Sequence, residues 1–281
     1  MIGSSDYSRG RSARGSVLLW TTAAAVPGIL CLVLFGLMAY KVHELSSLTT
    51  PADNQFATPI LWRTICFAAL SAAAQTTLGL LFALAVMWIA RRPLQRFLLI
   101  TLIFVPYAVP SALLGLAYRL ALGPRGDIAG AISNTFGISP QFWLLNHPLA
   151  TTTVAVTWEF APFAFLISYF ALRSIKPQTL VAARADGGRF LDTLLRIVLR
   201  PIWPIVATTF ALRLIFMLGK FDTPYIFTKL ISSTVHVASV EIYPAFQASS
   251  LRGVSLLAVG LFETSIAVCA IYLVARRYLR T

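Results

Sequence analysis

Most of this chain consists of apolar runs about twenty residues long, and its charges lie mainly between those runs. A helix needs roughly twenty residues to cross about 30 Å of hydrocarbon. Six runs are long enough, and they cover residues 16–40, 64–90, 97–122, 149–172, 202–221 and 254–275. Backbone polar groups must be paired inside lipid, and runs this long without alternating polarity favour helices over a barrel. We therefore predict an all-α fold, a polytopic membrane helix bundle of six transmembrane helices.

The composition supports a membrane class and a single domain. Hydrophobic residues make up 58% of the chain and charged residues 12%, whereas soluble domains carry about a quarter charged residues. We predict that residues 15–281 form one transmembrane domain and that residues 1–14, rich in Ser, Gly and Arg, are a disordered cytoplasmic terminus. The first run is too long for a signal peptide and no small-residue cleavage site follows it, so we expect a retained helix.

The arginines predict the orientation. The net charge of +13 first suggests a nucleic-acid partner, but the cations lie at the ends of apolar runs rather than in one patch. We therefore expect contact with membrane lipid and no nucleic acid. An excess of Arg and Lys marks cytoplasmic loops, so both termini are predicted to be cytoplasmic. The cations that set this side are Arg9, Arg11, Arg14, Arg91, Arg92, Arg96, Arg173, Lys176, Arg184, Arg189, Arg196, Arg200, Arg276, Arg277 and Arg280.

The predicted cytoplasmic loop at residues 173–204 has the pattern of a helical hairpin. Pro177 suits the first turn of a helix, and apolar positions follow at partly helical spacing. Asp186-Gly187-Gly188 then allows a sharp turn, because glycine enters positive φ without a Cβ penalty. A second short helix would end near Pro201. Such a hairpin between the fourth and fifth spans can project from the membrane and insert into a groove on another protein.

Within this loop the run Val181-Ala-Ala-Arg-Ala-Asp-Gly-Gly188, with Ile197-Val-Leu199 and Pro204 after it, resembles the EAA motif of permease subunits of bacterial ABC importers. It is most similar to the binding-protein-dependent sugar permeases of the maltose and glycerol-phosphate type. Three further stretches are similar to spans of these permeases, and the resemblance covers roughly residue 61 to the end. They are FVPYAVP at 104–110, WEFAPF at 158–163 and KFDTPYIFT at 220–228.

The resemblance implies a permease of the bacterial inner (plasma) membrane that is not itself an enzyme. Its implied partners are a second permease subunit, an ATPase dimer that binds ATP and Mg, and an extracytoplasmic solute-binding protein that delivers a sugar or sugar-like solute. The loop would be a coupling helix, and the residues it assigns to ATPase docking are Val181, Ala182, Ala183, Asp186, Gly187, Gly188 and Arg189.

Two positions depart from the family motif. Val181 stands where the motif has a glutamate, and Arg200 stands where it has a proline. Asp186 and Arg189 are our candidates for the contact that the glutamate would make. Oligosaccharide, polyol, glycerol phosphate and modified sugar all remain open as solutes.

Three ionisable residues fall near the middle of predicted spans: Glu159, Arg213 and Glu263. A charge there costs a few kcal/mol or more unless it is paired or hydrated. We expect Arg213 to face Glu159 or Glu263, either along a solute path or as an ion pair that only fixes helix packing. With Tyr107, Trp158 and Phe163 as aromatic faces, these residues make up our candidate translocation path.

Several other chemistries lack support in the sequence. No GxxxxGK[ST] loop is present, and Cys31, Cys66 and Cys269 lie inside apolar runs without metal or disulfide spacing. The three histidines show no metal-ligand pattern, so we expect no metal and no cofactor in this chain. Two other functions remain alternatives: a self-contained secondary transporter or channel using Glu159 and Glu263, and a membrane scaffold.

Overall fold

The structure, a computed structural model, describes residues 40, 51–122, 127–137, 147–176, 178–179, 193–231, 235–247 and 251–279. Within these ranges the regular elements are all helical. They are α1 (Pro51–Ile89), α2 (Pro93–Ala108), α3 (Ser111–Leu122), α4 (Asp127–Phe136), α5 (Pro148–Arg173), a π-helix (Thr193–Leu199), α6 (Arg200–Leu218), α7 (Asp222–Ile231), α8 (Ala238–Gln247) and α9 (Leu251–Leu279).

Four helical segments of the described chain are long and apolar enough to cross a membrane: Ala57–Ile89, Pro148–Arg173, Thr193–Leu218 and Val254–Val274. They confirm the predicted second, fourth, fifth and sixth spans as helices. The predicted first span, at residues 16–40, lies outside the described residues except for Tyr40, and the count of six remains a prediction.

The predicted third span is not one straight helix. α2 and α3 meet at 92° where Val109 and Pro110 interrupt the hydrogen-bond ladder. Val109 is extended, with φ −85° and ψ 133°, because the ring of a following proline disfavours the helical region. Pro110 also lacks an N–H. The span predicted over residues 97–122 is therefore at most one broken span.

The core is built on α1 and α5, which run parallel along each other. Gly79 brings them together, since a Cβ added to it would lie 2.5 Å from the Phe165 backbone N and 2.6 Å from the Ala164 Cβ. α6 runs antiparallel to both, so that Ile202 at its start and Val198 in the preceding π-helix pack beside the end of α1. Phe67 of α1 and Met217 of α6 meet in a second cluster nearer the other end.

This packing brings five arginines of the described chain to one end of the bundle. Arg91 and Arg92 follow α1, Arg173 ends α5, and Arg196 and Arg200 begin the antiparallel span. Such clustering is the pattern expected of a cytoplasmic face, because loops on that side carry excess Arg and Lys. Which side of the membrane this end faces is still a prediction.

The fifth span starts earlier than predicted and starts irregularly. Its first seven residues, Thr193–Leu199, form a π-helix that continues into α6. Pro201 and Pro204 lie in the first turns of α6 and remove two backbone donors. π turns are rare and uneven in their hydrogen bonding, so this widened start can accommodate the prolines without ending the helix.

Candidate functional site

Buried polar side chains meet in the interior of the bundle where α1, α5, α6 and the start of α7 pack together. The exposed fraction of each side chain is 8% or less, and the group consists of Gln75, Glu159, Arg213, Lys220 and Thr223, which we call the polar layer. Buried polar groups are stable only when they are hydrogen-bonded or paired. Their contacts therefore decide what the layer can do.

Arg213 of α6 is held by an amide of α1. Its Nε donates to Gln75 Oε1 at 2.6 Å, and Gln75 Nε2 donates to the Val156 carbonyl of α5 at 3.2 Å. The Arg213 guanidinium thus connects three helices through one glutamine. Its Nη2 is buried and has no hydrogen-bond partner among the described residues. An unsatisfied charged donor is costly, so this atom is a position where water or a solute oxygen would bind.

Glu159 of α5 is satisfied by the turn that joins α6 to α7. Lys220 Nζ lies 3.1 Å from Glu159 Oε1, and Thr223 Oγ1 donates to Glu159 Oε2 at 2.9 Å. Asp222, which is more than half exposed, lies 3.5 Å from the same lysine nitrogen. The Lys220 carbonyl accepts a 2.7 Å hydrogen bond from Ser239 Oγ, which fixes the turn against α8.

Both buried cations lie close to one phenylalanine ring. Arg213 Cζ is 4.6 Å and Lys220 Nζ is 4.5 Å from the centre of the Phe160 ring. Phe163 and Phe216 also lie within 6 Å of the guanidinium, and Tyr107 meets Phe160 edge to face at 6.2 Å. Cations within about 6 Å of a ring face are attracted by its quadrupole, so Phe160 couples the two charged groups.

The expected ion pair between Arg213 and a carboxylate is absent from the described residues. Glu159 pairs with Lys220 instead, because the turn after α6 brings that lysine against the middle of α5, where Glu159 lies. Glu263 is exposed and does not reach the polar layer. Gly260 packs on Leu61, near the start of α1, so Glu263 lies nearer the end of the bundle opposite the arginines than Arg213 does. Glu263 is therefore not the carboxylate that Arg213 was predicted to face.

The structure brings together four of the six candidate path residues, namely Tyr107, Glu159, Phe163 and Arg213. Trp158 points elsewhere: it is half exposed and meets Phe82 edge to face at 6.2 Å. Sequence reasoning missed four residues: Gln75, Phe160, Lys220 and Thr223. Gln75 had one available signal, since it is an amide in the middle of an apolar run.

Trp158 lines an apolar groove on the side of the bundle rather than the polar layer. The groove has a volume of about 460 Å³ and lies between α1, α2 and α5. Phe82, Val86 and Ile89 of α1 form one wall, with Leu99 and Pro106 of α2 opposite. Its lining carries almost no hydrogen-bonding atoms, so it suits a hydrocarbon occupant better than a sugar.

The seven residues assigned to ATPase docking, Val181 to Arg189, lie outside the described residues, and that assignment remains a prediction. Among the described residues no three His, Cys, Asp or Glu side chains are grouped as metal ligands would be.

Comparison with known proteins shows the family to which the sequence belongs. The profile of the binding-protein-dependent transport system inner membrane component family matches residues 75–279. A probable ABC transporter permease protein of Sinorhizobium fredii is 26% identical over 239 residues, which are 78% of this chain and 76% of that protein. The trehalose/maltose transport system permease protein of Thermococcus litoralis is 28% identical over 168 residues, 59% of this chain and 56% of that protein.

A putative ferric transport system permease protein of Haemophilus influenzae is 29% identical over 168 residues, and the match covers 60% of this chain but only 25% of that protein. The similar sequences therefore belong to transport systems with different solutes.

Solved structures share the fold. The crystal structure of a bacterial alginate ABC transporter, in complex with an alginate pentasaccharide-bound periplasmic protein, superimposes with a TM-score of 0.76. It is 19% identical, and the superposition covers 96% of this chain and 98% of that one. An inward-facing methionine ABC transporter gives a TM-score of 0.59 at 14% identity, over 82% of this chain and 99% of that one. With three quarters of its length, including the polar layer, inside the matched region, the chain belongs to the binding-protein-dependent transport system inner membrane component family.

Proposed function

We propose that this chain is one permease subunit of an ABC importer that passes a sugar or sugar-like solute into the cytoplasm. A second permease would complete the membrane unit. A separate ATPase pair would bind at the arginine-rich end, and a solute-binding protein would deliver the solute at the other end. Family membership supports the general role, and similarity to trehalose/maltose and alginate transport proteins favours a sugar among the possible solutes.

The solute proposal rests on Arg213. Its Nη2 has no hydrogen-bond partner among the described residues, and aromatic side chains surround its guanidinium. Sugars present hydroxyl oxygens, which accept hydrogen bonds from a guanidinium, and C–H faces, which pack on aromatic rings. Phe160, Phe163 and Tyr107 supply such rings next to the free donor. Opening the bundle at this level would expose both kinds of contact together.

The partner ATPases would drive the movement of the helices that opens the bundle. ATPase closure can shift the helices only if the ATPases bind the two membrane states with different affinity. We propose that the hairpin around Gly187 transmits that difference. Glu159 is less suited to the alternative role of a proton or ion site, because Lys220 and Thr223 already occupy both of its oxygens.

One experiment tests the importer role and its solute class. The chain is co-expressed with its second permease and ATPase, reconstituted in liposomes, and supplied with the solute-binding protein loaded with trehalose, maltose, glycerol phosphate or alginate oligosaccharide. We expect ATP-dependent uptake of one of these and at least a tenfold loss in Arg213→Met. Arg63→Met, which removes an exposed arginine of α1 outside the polar layer and the predicted docking loop, serves as the matched control. Uptake driven by an ion gradient without ATP would overturn the proposal.

The hairpin is tested separately. Gly187→Val should strain the predicted turn by about 1 kcal/mol or more and weaken ATPase docking, while membrane insertion persists. A variant that copurifies with the ATPase and transports at the normal rate would show that Gly187 has no part in docking.

A further inference from the structure

The apolar groove between α1, α2 and α5 opens beside a cluster of arginines. Its wall on α1 runs from Phe82 to Ile89, and Arg91 and Arg92 follow that wall directly. Both arginines are exposed, and the guanidinium of Arg96, one turn into α2, donates from Nη2 to the Ala90 carbonyl at 3.3 Å. The apolar groove therefore ends at a group of cations.

The groove is short enough to lie within one leaflet. From Phe82 to Ile89 a helix rises by about 10 Å at 1.5 Å per residue, and Trp158 of α5 contacts Phe82 at the inner end of this wall. Half of a bilayer's hydrocarbon core is about 15 Å deep. Since the arginines lie at the end predicted to be cytoplasmic, the groove would occupy the inner leaflet.

The charge at the groove mouth selects the headgroup. Residues 90–99 contain three arginines and no carboxylate, and Arg173 and Lys176 lie at the same end of α5. Basic pockets between transmembrane helices on the cytoplasmic side bind anionic lipid headgroups. A zwitterionic headgroup has no net charge, so these cations would attract such a phospholipid much less strongly.

We propose that this groove is a binding site for one anionic phospholipid of the inner leaflet, with an acyl chain along Phe82, Val86 and Trp158 and the phosphate near Arg91 and Arg92. The site is separate from the polar layer, because Trp158 lines the groove and is half exposed, whereas Glu159 is buried and does not line it. It does not depend on which solute the chain transports.

Trp158 provides a built-in probe. In the full-length chain, with the other five tryptophans replaced by phenylalanine, its fluorescence is measured in nanodiscs that contain phosphatidylcholine and rising fractions of phosphatidylglycerol. The phosphatidylglycerol carries brominated acyl chains, which quench a tryptophan in contact with them. We expect half-maximal quenching at a mole fraction several-fold lower than with brominated phosphatidylcholine in the reverse mixture.

Trp203 is the matched control, because it is also about half exposed but lies on α6 outside the groove. A chain that keeps only Trp203 should be quenched equally by the two lipids. Arg91→Gln with Arg92→Gln should abolish the several-fold preference at Trp158, because each cation near an anionic lipid contributes roughly 1 kcal/mol, or about fivefold in affinity. Ala85→Phe, which fills the groove, should reduce quenching by both lipids.

Three outcomes would overturn the site. Equal quenching of Trp158 by both lipids would show ordinary contact with bulk lipid. No quenching by either lipid would show that protein covers the groove. An unchanged preference in the double arginine variant, with the protein folded, would remove the arginines from headgroup binding.

Discussion

At the residue scale, Phe160 and its two cations organise the interior. Arg213 and Lys220 approach the ring at nearly equal distance, while Gln75 and Glu159 hold their polar atoms. Among these buried groups the cations outnumber the carboxylates by two to one. The excess positive charge and the free Arg213 Nη2 make this a site for hydrogen-bond acceptors.

Arg213 and Gln75 should be energetically coupled. Gln75→Ala leaves the buried guanidinium without its partner, and Arg213→Ala leaves the glutamine oxygen unpaired, so each single change destabilises the protein. We expect a coupling free energy of about 0.5 to 3 kcal/mol in a double-mutant cycle of thermal unfolding in detergent. Additive effects would show that the 2.6 Å contact does not form in the folded protein.

Replacing Lys220 should lower the free energy of unfolding more than replacing its neighbour Asp222. Lys220→Met leaves Glu159 charged and buried, and breaking such a pair costs about 3 to 5 kcal/mol. Replacing both residues, with Lys220→Met and Glu159→Gln, should recover much of that loss. Asp222→Asn is the control, because this carboxylate is half exposed and its pair contributes at most about 1 kcal/mol. A double variant no more stable than Lys220→Met would contradict the buried pair.

At the scale of elements, the contact of α1 with α5 depends on the absence of one side chain. The two helices pack so closely at Gly79 that an added Cβ would meet backbone atoms of α5, which cannot rotate away. At Gly260 the corresponding neighbour is the end of the Leu61 side chain, which can change rotamer. The α1–α5 contact is therefore the more rigid of the two.

Gly79→Ala should destabilise the protein by about 1 to 3 kcal/mol, the usual cost of overpacking. Gly260→Ala should cost less, because Leu61 can move. Gly130→Ala is the matched control, since no atom lies within 4 Å of the Cβ it would gain. Unfolding temperatures of the three variants in one detergent would rank them. Equal shifts for Gly79 and Gly130 would argue against the close helix contact.

At the scale of the whole molecule, parallel α1 and α5 with antiparallel α6 put five arginines at one end: Arg91, Arg92, Arg173, Arg196 and Arg200. The two ends of the bundle therefore differ in charge, and this difference comes from several helices rather than from one loop. The groove and its arginines lie toward this end, whereas α4 follows α3 on the far side of the break at Pro110.

Orientation can be measured with two single cysteines in a chain whose native cysteines are replaced. Ser133→Cys in α4 should react with an impermeant thiol reagent in cells with a permeabilised outer barrier, and Thr193→Cys should not. Lysis should expose Thr193→Cys and serves as the control. The opposite pattern before lysis would reverse the topology, and the hairpin could then not meet a cytoplasmic ATPase.

Composition and local pattern were enough for the class of protein, four helical spans and the clustering of arginines. The free energy of placing a segment in lipid depends mainly on its own side chains, so each run can be judged alone. The sequence also predicted four residues of the candidate site, because each is a charged or aromatic side chain inside an apolar run: Tyr107, Glu159, Phe163 and Arg213. The break at Pro110 needed the fold, because neighbouring helices decide whether a proline bends or interrupts a span.

The partners of the buried charges could not be read in this way. Arg213 bonds to Gln75, which lies 138 positions away, and Glu159 bonds to Lys220, which lies in a turn. Which side chains meet depends on how each helix is rotated and on how closely its neighbours approach. Those quantities come from packing the whole bundle, since a buried polar group takes the partner that the surrounding helices bring within hydrogen-bond distance.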